Sequence, residues 1–247
     1  MMKYAALNGD VIYRLMKNLN RLNRIARDNG GNRAFGFPGY AASVEYVFER
    51  TSRFSRTMNT WIQEFPALFS KVESISFKVN GTSYYVYGLT YSPSTPPQGI
   101  TAGLVLGPVG AAACTVDGYA GLNVKGKIVL VERWPCPTGG TLAGRVRPAK
   151  KAGASSVIIY NNVATNVTGG TLSAPDPEGF VSCGFINQKD GLALRERLLS
   201  GRNITAYFQQ TQIVETKITQ NVFAETKGGD PNNVIMVSLH FSRSRGI

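Results

Sequence analysis

Two short aliphatic runs do most to constrain the fold of this chain. Ile128-Val-Leu-Val-Glu132 comes directly after the turn sequence Val124-Lys-Gly-Lys, and Val157-Ile-Ile-Tyr160 comes after a Gly-Ala stop. Both are mostly β-branched or aliphatic and bounded by turn residues, so both read as buried strands. Between them Ala149, Ala152 and Ala154 give small faces on which a helix can lie close to a sheet, and Gly153 suits that helix's C-terminus. The stretch from Cys114 to Asn161 thus reads strand, loop, short helix, strand.

The remaining residues are sufficient to bury such a sheet. The 247 residues are 43% apolar and 10% aromatic, enough for one large domain or two small ones. The net charge of +12 raises nucleic-acid or membrane binding, so its position matters. Residues 1–60 hold 10 of the 27 basic and 4 of the 15 acidic residues, which is half of the excess. A helix is predicted there, with Val11, Leu15, Leu19, Leu22 and Ala26 on one stripe and Arg14, Lys17, Arg21, Arg24 and Arg27 opposite. This is the pattern of a solvated face on a helix packed against a domain. No interleaved aromatics offer base stacking, and no nucleic-acid partner is expected.

No stretch approaches the roughly 18 apolar residues of a membrane span, so no membrane-spanning segment is expected. Met1 to Asp10 also lacks a signal peptide's apolar run. Asn80-Gly-Thr, Asn166-Val-Thr and Asn203-Ile-Thr are nevertheless acceptor triplets for N-glycosylation, which have meaning only in the secretory pathway. The expectation is a secretory ancestry with the leader missing from this chain.

Along the chain, Gly31-Asn-Arg-Ala-Phe-Gly-Phe-Pro-Gly-Tyr40 is a loop, and a helix is predicted from Ala42 to Arg53. Trp61 to Phe65 and Val72 to Val79 alternate as strands with one wet face. Ser92-Pro-Ser-Thr-Pro-Pro97 is an exposed connector, and Leu104-Val-Leu106 is a further strand. Asp190 to Leu199 reads as a short amphipathic helix, Ile204 to Phe208 as a closing strand, Gln212 to Glu225 as another alternating strand, and Val234 to Leu239 as a buried one. Three cysteines allow at most one internal bridge, and their spacing fits no zinc pattern. Cys183, inside an apolar run, reads as a buried free thiol. A lone histidine with no Gly-x-Ser-x-Gly elbow argues against serine catalysis, and no phosphate-binding loop is present.

The run from Cys114 resembles the protease-associated (PA) domain, whose members carry a Cys, then Val-Lys-Gly-Lys-Ile, Arg-x-x-Cys, Ala-x-x-Ala-Gly-Ala, and a strand ending in Tyr-Asn. Here these are Cys114, Val124–Ile128, Arg133–Cys136, Ala149–Ala154 and Tyr160-Asn161. The resemblance implies a Cys114–Cys136 disulfide, and a domain without chemistry of its own.

Two flanking motifs are similar to zinc exopeptidases of the aminopeptidase Y type, which are secreted or vacuolar. Asn32, Arg33, Gly36, Pro38 and Gly39 match a loop at the start of that peptidase domain. Asn221, Val222, Ala224, Thr226, Gly228, Gly229 and Asp230 match the strand and turn before its first zinc ligand, whose place is taken by His240. The resemblance implies an α/β chain with a β-rich PA domain at 83–209 inserted between peptidase segments at 1–82 and 210–247. It also implies zinc as cofactor and peptides or proteins as substrates.

The match then breaks off: Ser242 stands where the family has Asp, and its later carboxylate and imidazole ligands have no counterpart. One imidazole cannot supply a paired-zinc site, so the chain is expected to be truncated at the first ligand, to bind no zinc, and to be inactive as written. Its uncovered peptidase strands are expected to self-associate. The alternative is a non-catalytic module that binds proteins through the PA insert.

Overall fold

The computed structural model describes residues 9–230 and 232–237. Contacts divide the chain into two compact units, one of Ser70–Glu215 and one of the residues before and after it.

In the flanking unit, α1 (Gly9–Asp28) and α2 (Pro38–Ser52) join through the glycine-rich loop. Gly31 N donates to Ala26 O at 2.7 Å and ends α1, and Tyr46 Oη donates to Asn18 Oδ1 at 2.7 Å to tie the two helices. Only the C-terminal half of α1 buries its stripe. Ile25 is 6% exposed, whereas Leu15 and Leu19 are more than half exposed, so the expected packing of the whole stripe on a domain is not met by the described residues. Phe35, Phe37 and Phe69 meet edge to face, with Phe37 and Phe69 centroids 5.4 Å apart. Gly36 (φ +84°) presses on the Phe69 ring, where any Cβ would overlap it. Lys217 Nζ sits 4.0 Å from the centroid of the same ring.

The expected strands at Trp61–Phe65 and Val72–Val79 are one strand, β1 (Met58–Val79). The expected strands at Ile204–Phe208 and Gln212–Glu225 are likewise one, β8 (Thr205–Thr226). Alternation breaks near Pro66, which suggested a gap, but pairing with β8 holds the backbone extended there. Beyond Phe77–Val79, where β2 (Thr82–Tyr84) pairs, no described strand covers the other edge of β1. Pro66 can therefore lack an N–H without breaking a ladder. The expected buried strand at Val234 to Leu239 is not formed over its described part. Val234 to Val237 are 70–89% exposed and lie in no strand, since no described strand pairs with them. The remainder of that run, with His240 and Ser242, lies outside the described residues.

The unit of Ser70–Glu215 is a mixed sheet. Its strand order, counting β1 from Ser70 and β8 as far as Glu215, is β2-β1-β8-β4-β5-β6-β7-β3, with β3 at Tyr87–Gly88, β4 at Ile100–Leu106, β5 at Ile128–Glu132, β6 at Ser156–Tyr160 and β7 at Cys183–Ile186. β4, β5, β6 and β7 run parallel, and β8 closes antiparallel on β4. Both faces of the parallel strands are covered, which explains continuous aliphatic runs in place of alternation. Val129, Val131, Val157 and Ile159 face α3 (Ala143–Lys151), where Val146 and Ala149 are fully buried. Ile128, Leu130, Ile158 and Ile186 face Leu194 of α4 (Gln188–Leu199) together with Phe77 and Phe208. Gly191 lets α4 lie against Tyr160, since a Cβ there would overlap the Tyr160 side chain. Helix α3 begins before the alanines that predicted it. It ends as the sequence suggests, with Gly153 at φ +94° just beyond Ala152.

Candidate functional site

A cleft of about 530 Å³ opens where the chain leaves β5 and β6, with Arg133 and Asn161 following those strands directly. One wall is Gly139–Leu142, leading into α3, and the other is Thr165–Ser173. Asparagines at strand ends fix the second wall. Asn161 Nδ2 donates to Thr165 O at 3.1 Å, Asn187 Oδ1 accepts from Val167 N at 2.8 Å, and Tyr85 Oη donates to Val167 O at 2.9 Å. Buried Leu142, Val167 and Phe185 give the cleft an apolar floor. Its lining includes Arg133 and no Asp or Glu.

Behind the first wall lies the disulfide. Cys114 and Cys136 are bonded, with Cα atoms 5.5 Å apart and a sequence separation of 22. Gly144 packs on Cys136, so the bridge anchors the start of α3. Arg145 is wholly buried beside it. Its Nε donates to Glu132 O at 2.9 Å and its Nη1 to Gly110 O at 2.7 Å, while Nη2 finds no partner among the described residues. Burial pushes the guanidinium pKa down, opposed by Tyr119, Glu132 and Tyr160. Burial pushes the Tyr119 phenol up to about 12, opposed by Arg145. Sequence reasoning passed over Arg145, yet its position three and four residues before buried Pro148 and Ala149 puts it on the inward face of α3. Arg147, two residues on, points outward, pairing with Asp176 at 2.9 Å and lying 4.4 Å from the Phe180 ring.

The other singled-out residues are dispersed. Asn80, Asn166 and Asn203 are all exposed, and Asn166 lines the cleft. Cys183 is fully buried against Ser92, and burial pushes its thiol up to about 12. In the loop between α1 and α2, Asn32 Oδ1 accepts from Ala34 N at 3.1 Å, and Gly39 backs onto the Asn32 carbonyl so closely that only glycine fits. Among the described residues no group of three or more His, Cys, Asp or Glu side chains is arranged to hold a metal ion. No helix among them is long and apolar enough to cross a membrane.

Residues 100–194 match the family model of the PA domain. This stretch is a PA domain. It contains the cleft, the disulfide and Arg145. Beyond the PA domain, the chain is similar over most of its length to aminopeptidases. It is 34% identical over 227 residues to a probable lipoprotein aminopeptidase, LpqL, of Mycobacterium tuberculosis, covering 92% of this chain and 43% of that protein. It is 36% identical to leucine aminopeptidase 2 of Trichophyton rubrum, covering 85% of this chain and 39% of that one. Among solved structures, an aminopeptidase from Aneurinibacillus sp. strain AM-1 superposes with a TM-score of 0.66 at 30% identity, over 87% of this chain and 49% of that chain. BSAP, a zinc aminopeptidase from Bacillus subtilis, shares the fold, with a TM-score of 0.60 at 23% identity over 83% of this chain and 45% of that chain. The chain thus spans less than half the length of the curated relatives it matches.

Proposed function

We propose that this chain is the PA-bearing part of a zinc aminopeptidase, with the PA domain governing how peptides reach the site of cleavage. The observation that carries this reading is the extent of the similarity. It covers 92% of the chain against an aminopeptidase, so it includes the flanking segments as well as the PA domain. The relatives support zinc as the cofactor of the whole enzyme. The described residues do not supply the donor set of a paired-zinc site, and His240 is the sole histidine in the sequence. No hydrolytic step is therefore assigned to them.

The 247-residue polypeptide by itself is expected to release no amino acid from aminoacyl p-nitroanilides with zinc supplied. Zinc-dependent turnover by the purified chain would overturn that part of the reading. A second reading, a protein-binding module without catalysis, is favoured by the open cleft of the PA domain; tight binding of a peptide that no zinc requirement accompanies would support it. A secretory or vacuolar compartment is supported by the exposed Asn80, Asn166 and Asn203 and by the disulfide, which persists in oxidising surroundings. A mass shift on glycosidase treatment of chain expressed through a secretory pathway tests it.

A further inference from the structure

We propose that the cleft between Arg133 and the Thr165–Ser173 wall binds a carboxylate carried on an extended peptide, with Arg133 as the charged anchor. The proposal deepens the peptide-handling reading above by naming the chemistry recognised.

The cleft lies at the carboxyl ends of the parallel strands β5 and β6. Its volume of about 530 Å³ lies within the range of ligand sites. Arg133 is half-buried at its edge and makes no ion pair among the described residues. With no Asp or Glu in the lining, its charge is uncompensated within the cleft. A guanidinium in that setting favours a carboxylate, which it can grip through two parallel hydrogen bonds.

The walls fit a peptide backbone. A Cβ added at Gly140 or Gly169 would meet nothing within 4 Å, so a chain has room to approach both sides. The side chains of Thr141 and Thr168 line the space and make no hydrogen bond to other described residues, leaving donors and acceptors for main-chain amides. The aromatic ring in the lining, Phe185, is 5% exposed, so the cleft offers no open platform on which a base would stack.

The test is fluorescence anisotropy with the full chain and three labelled pentapeptides. One is blocked at both ends with a central Asp, one is the same with Asn, and one has a free C-terminal carboxylate as its sole acid. At least one acid-bearing peptide is expected to bind about tenfold or more tighter than the Asn peptide, and the better of the two identifies the carboxylate's source. Arg133→Gln should bring that ratio close to one, and Arg133→Lys should restore part of it. Thr168→Glu, on the exposed wall, should weaken acid-bearing peptides through repulsion without disturbing the fold, and it decides the matter if Arg133→Gln fails to fold by circular dichroism. Affinity for the Asn peptide equal to that for both acid-bearing peptides, indifference to Thr168→Glu, or no binding of any peptide would overturn the proposal. Equal binding of all three peptides would still leave a peptide-handling role intact.

Discussion

Nη1 of Arg145 lies 3.5 Å from Sγ of Cys114, so the buried cation of the PA domain and its disulfide brace the same end of the core. Arg145 also joins β5 to the Gly110 turn through two carbonyls.

Replacing Arg145 with Met would leave the Glu132 and Gly110 carbonyls without their donors. The expected loss of stability is about 3 kcal/mol by urea unfolding, because hydrogen bonds from a charged group are being removed from a dry site. Arg147→Ala, which breaks an exposed pair with Asp176, should cost roughly 0.5 kcal/mol. Equal effects from the two would mean that Arg145 does not brace the core through its buried hydrogen bonds.

Reducing the Cys114–Cys136 bridge, or changing both residues to Ser, should cost about 3 kcal/mol, mainly by freeing the unfolded chain. Non-reducing peptide mapping should link those two cysteines and leave Cys183 as a free thiol. A Cys183 linkage would contradict the fold of β7.

Alkaline pH should weaken the protein. Burial raises the folded pKa of Cys183 from 9.0 to about 12 and that of Tyr119 from 10.0 to about 12. The unfolded chain therefore loses these protons first. Stability is intact below pH 9 and falls as the pH rises towards 12. At pH 10.5 the Cys183 contribution alone is roughly 2 kcal/mol. Cys183→Ala should lower stability at pH 8 yet narrow the difference between pH 8 and pH 10.5 by about that amount. An unchanged difference would show that the thiol is not buried in solution.

Trp61 and Phe223 stack with centroids 5.3 Å apart, yet Trp61 remains 43% exposed, and Phe65, four residues along the same face of β1, is 39% exposed. An apolar surface next to an open strand edge favours association. Sedimentation velocity of the full chain should show concentration-dependent oligomers that Trp61→Glu disperses. A polypeptide of residues 70–215, which keeps the buried Phe77 and Val79, should stay monomeric. A monomeric full chain at high concentration would count against the idea.

The PA domain was legible because its strands carry their own signal. Ile128–Glu132 and Ser156–Tyr160 are covered on both faces, so hydrophobicity alone marks them. The continuity of β1 through Pro66 was not legible, because that part of the strand is held by pairing with β8 and not by burial. Val234–Val237 misled for the converse reason: its composition suits a strand, but no described strand pairs with it. The motif residues around Asn32 and Gly39 could be read from sequence as a loop, while the reason for Gly39 appears only when the Asn32 carbonyl is seen against it. The cleft escaped sequence reading altogether. Its walls meet only when parallel pairing aligns β5 and β6, so Arg133 and Asn166 carry no local mark of proximity.

The pairing of β1 with β8 also bears on how the chain reaches its fold. Gln212 Nε2 hydrogen-bonds Ser70 Oγ, so the unit of Ser70–Glu215 begins and ends at one point. Farther along the same two strands Glu64 meets Gln220. In an unfolded chain these residues are separated by the whole intervening unit, and joining them directly would carry a large loop-closure cost. Once that unit has folded, its two ends are already side by side, and the outer ladder can close like a zip from Ser70 towards Thr57. Folding of the flanking strands is therefore conditional on the inner unit, and their hydrogen-exchange protection should appear after that of β5 and β6.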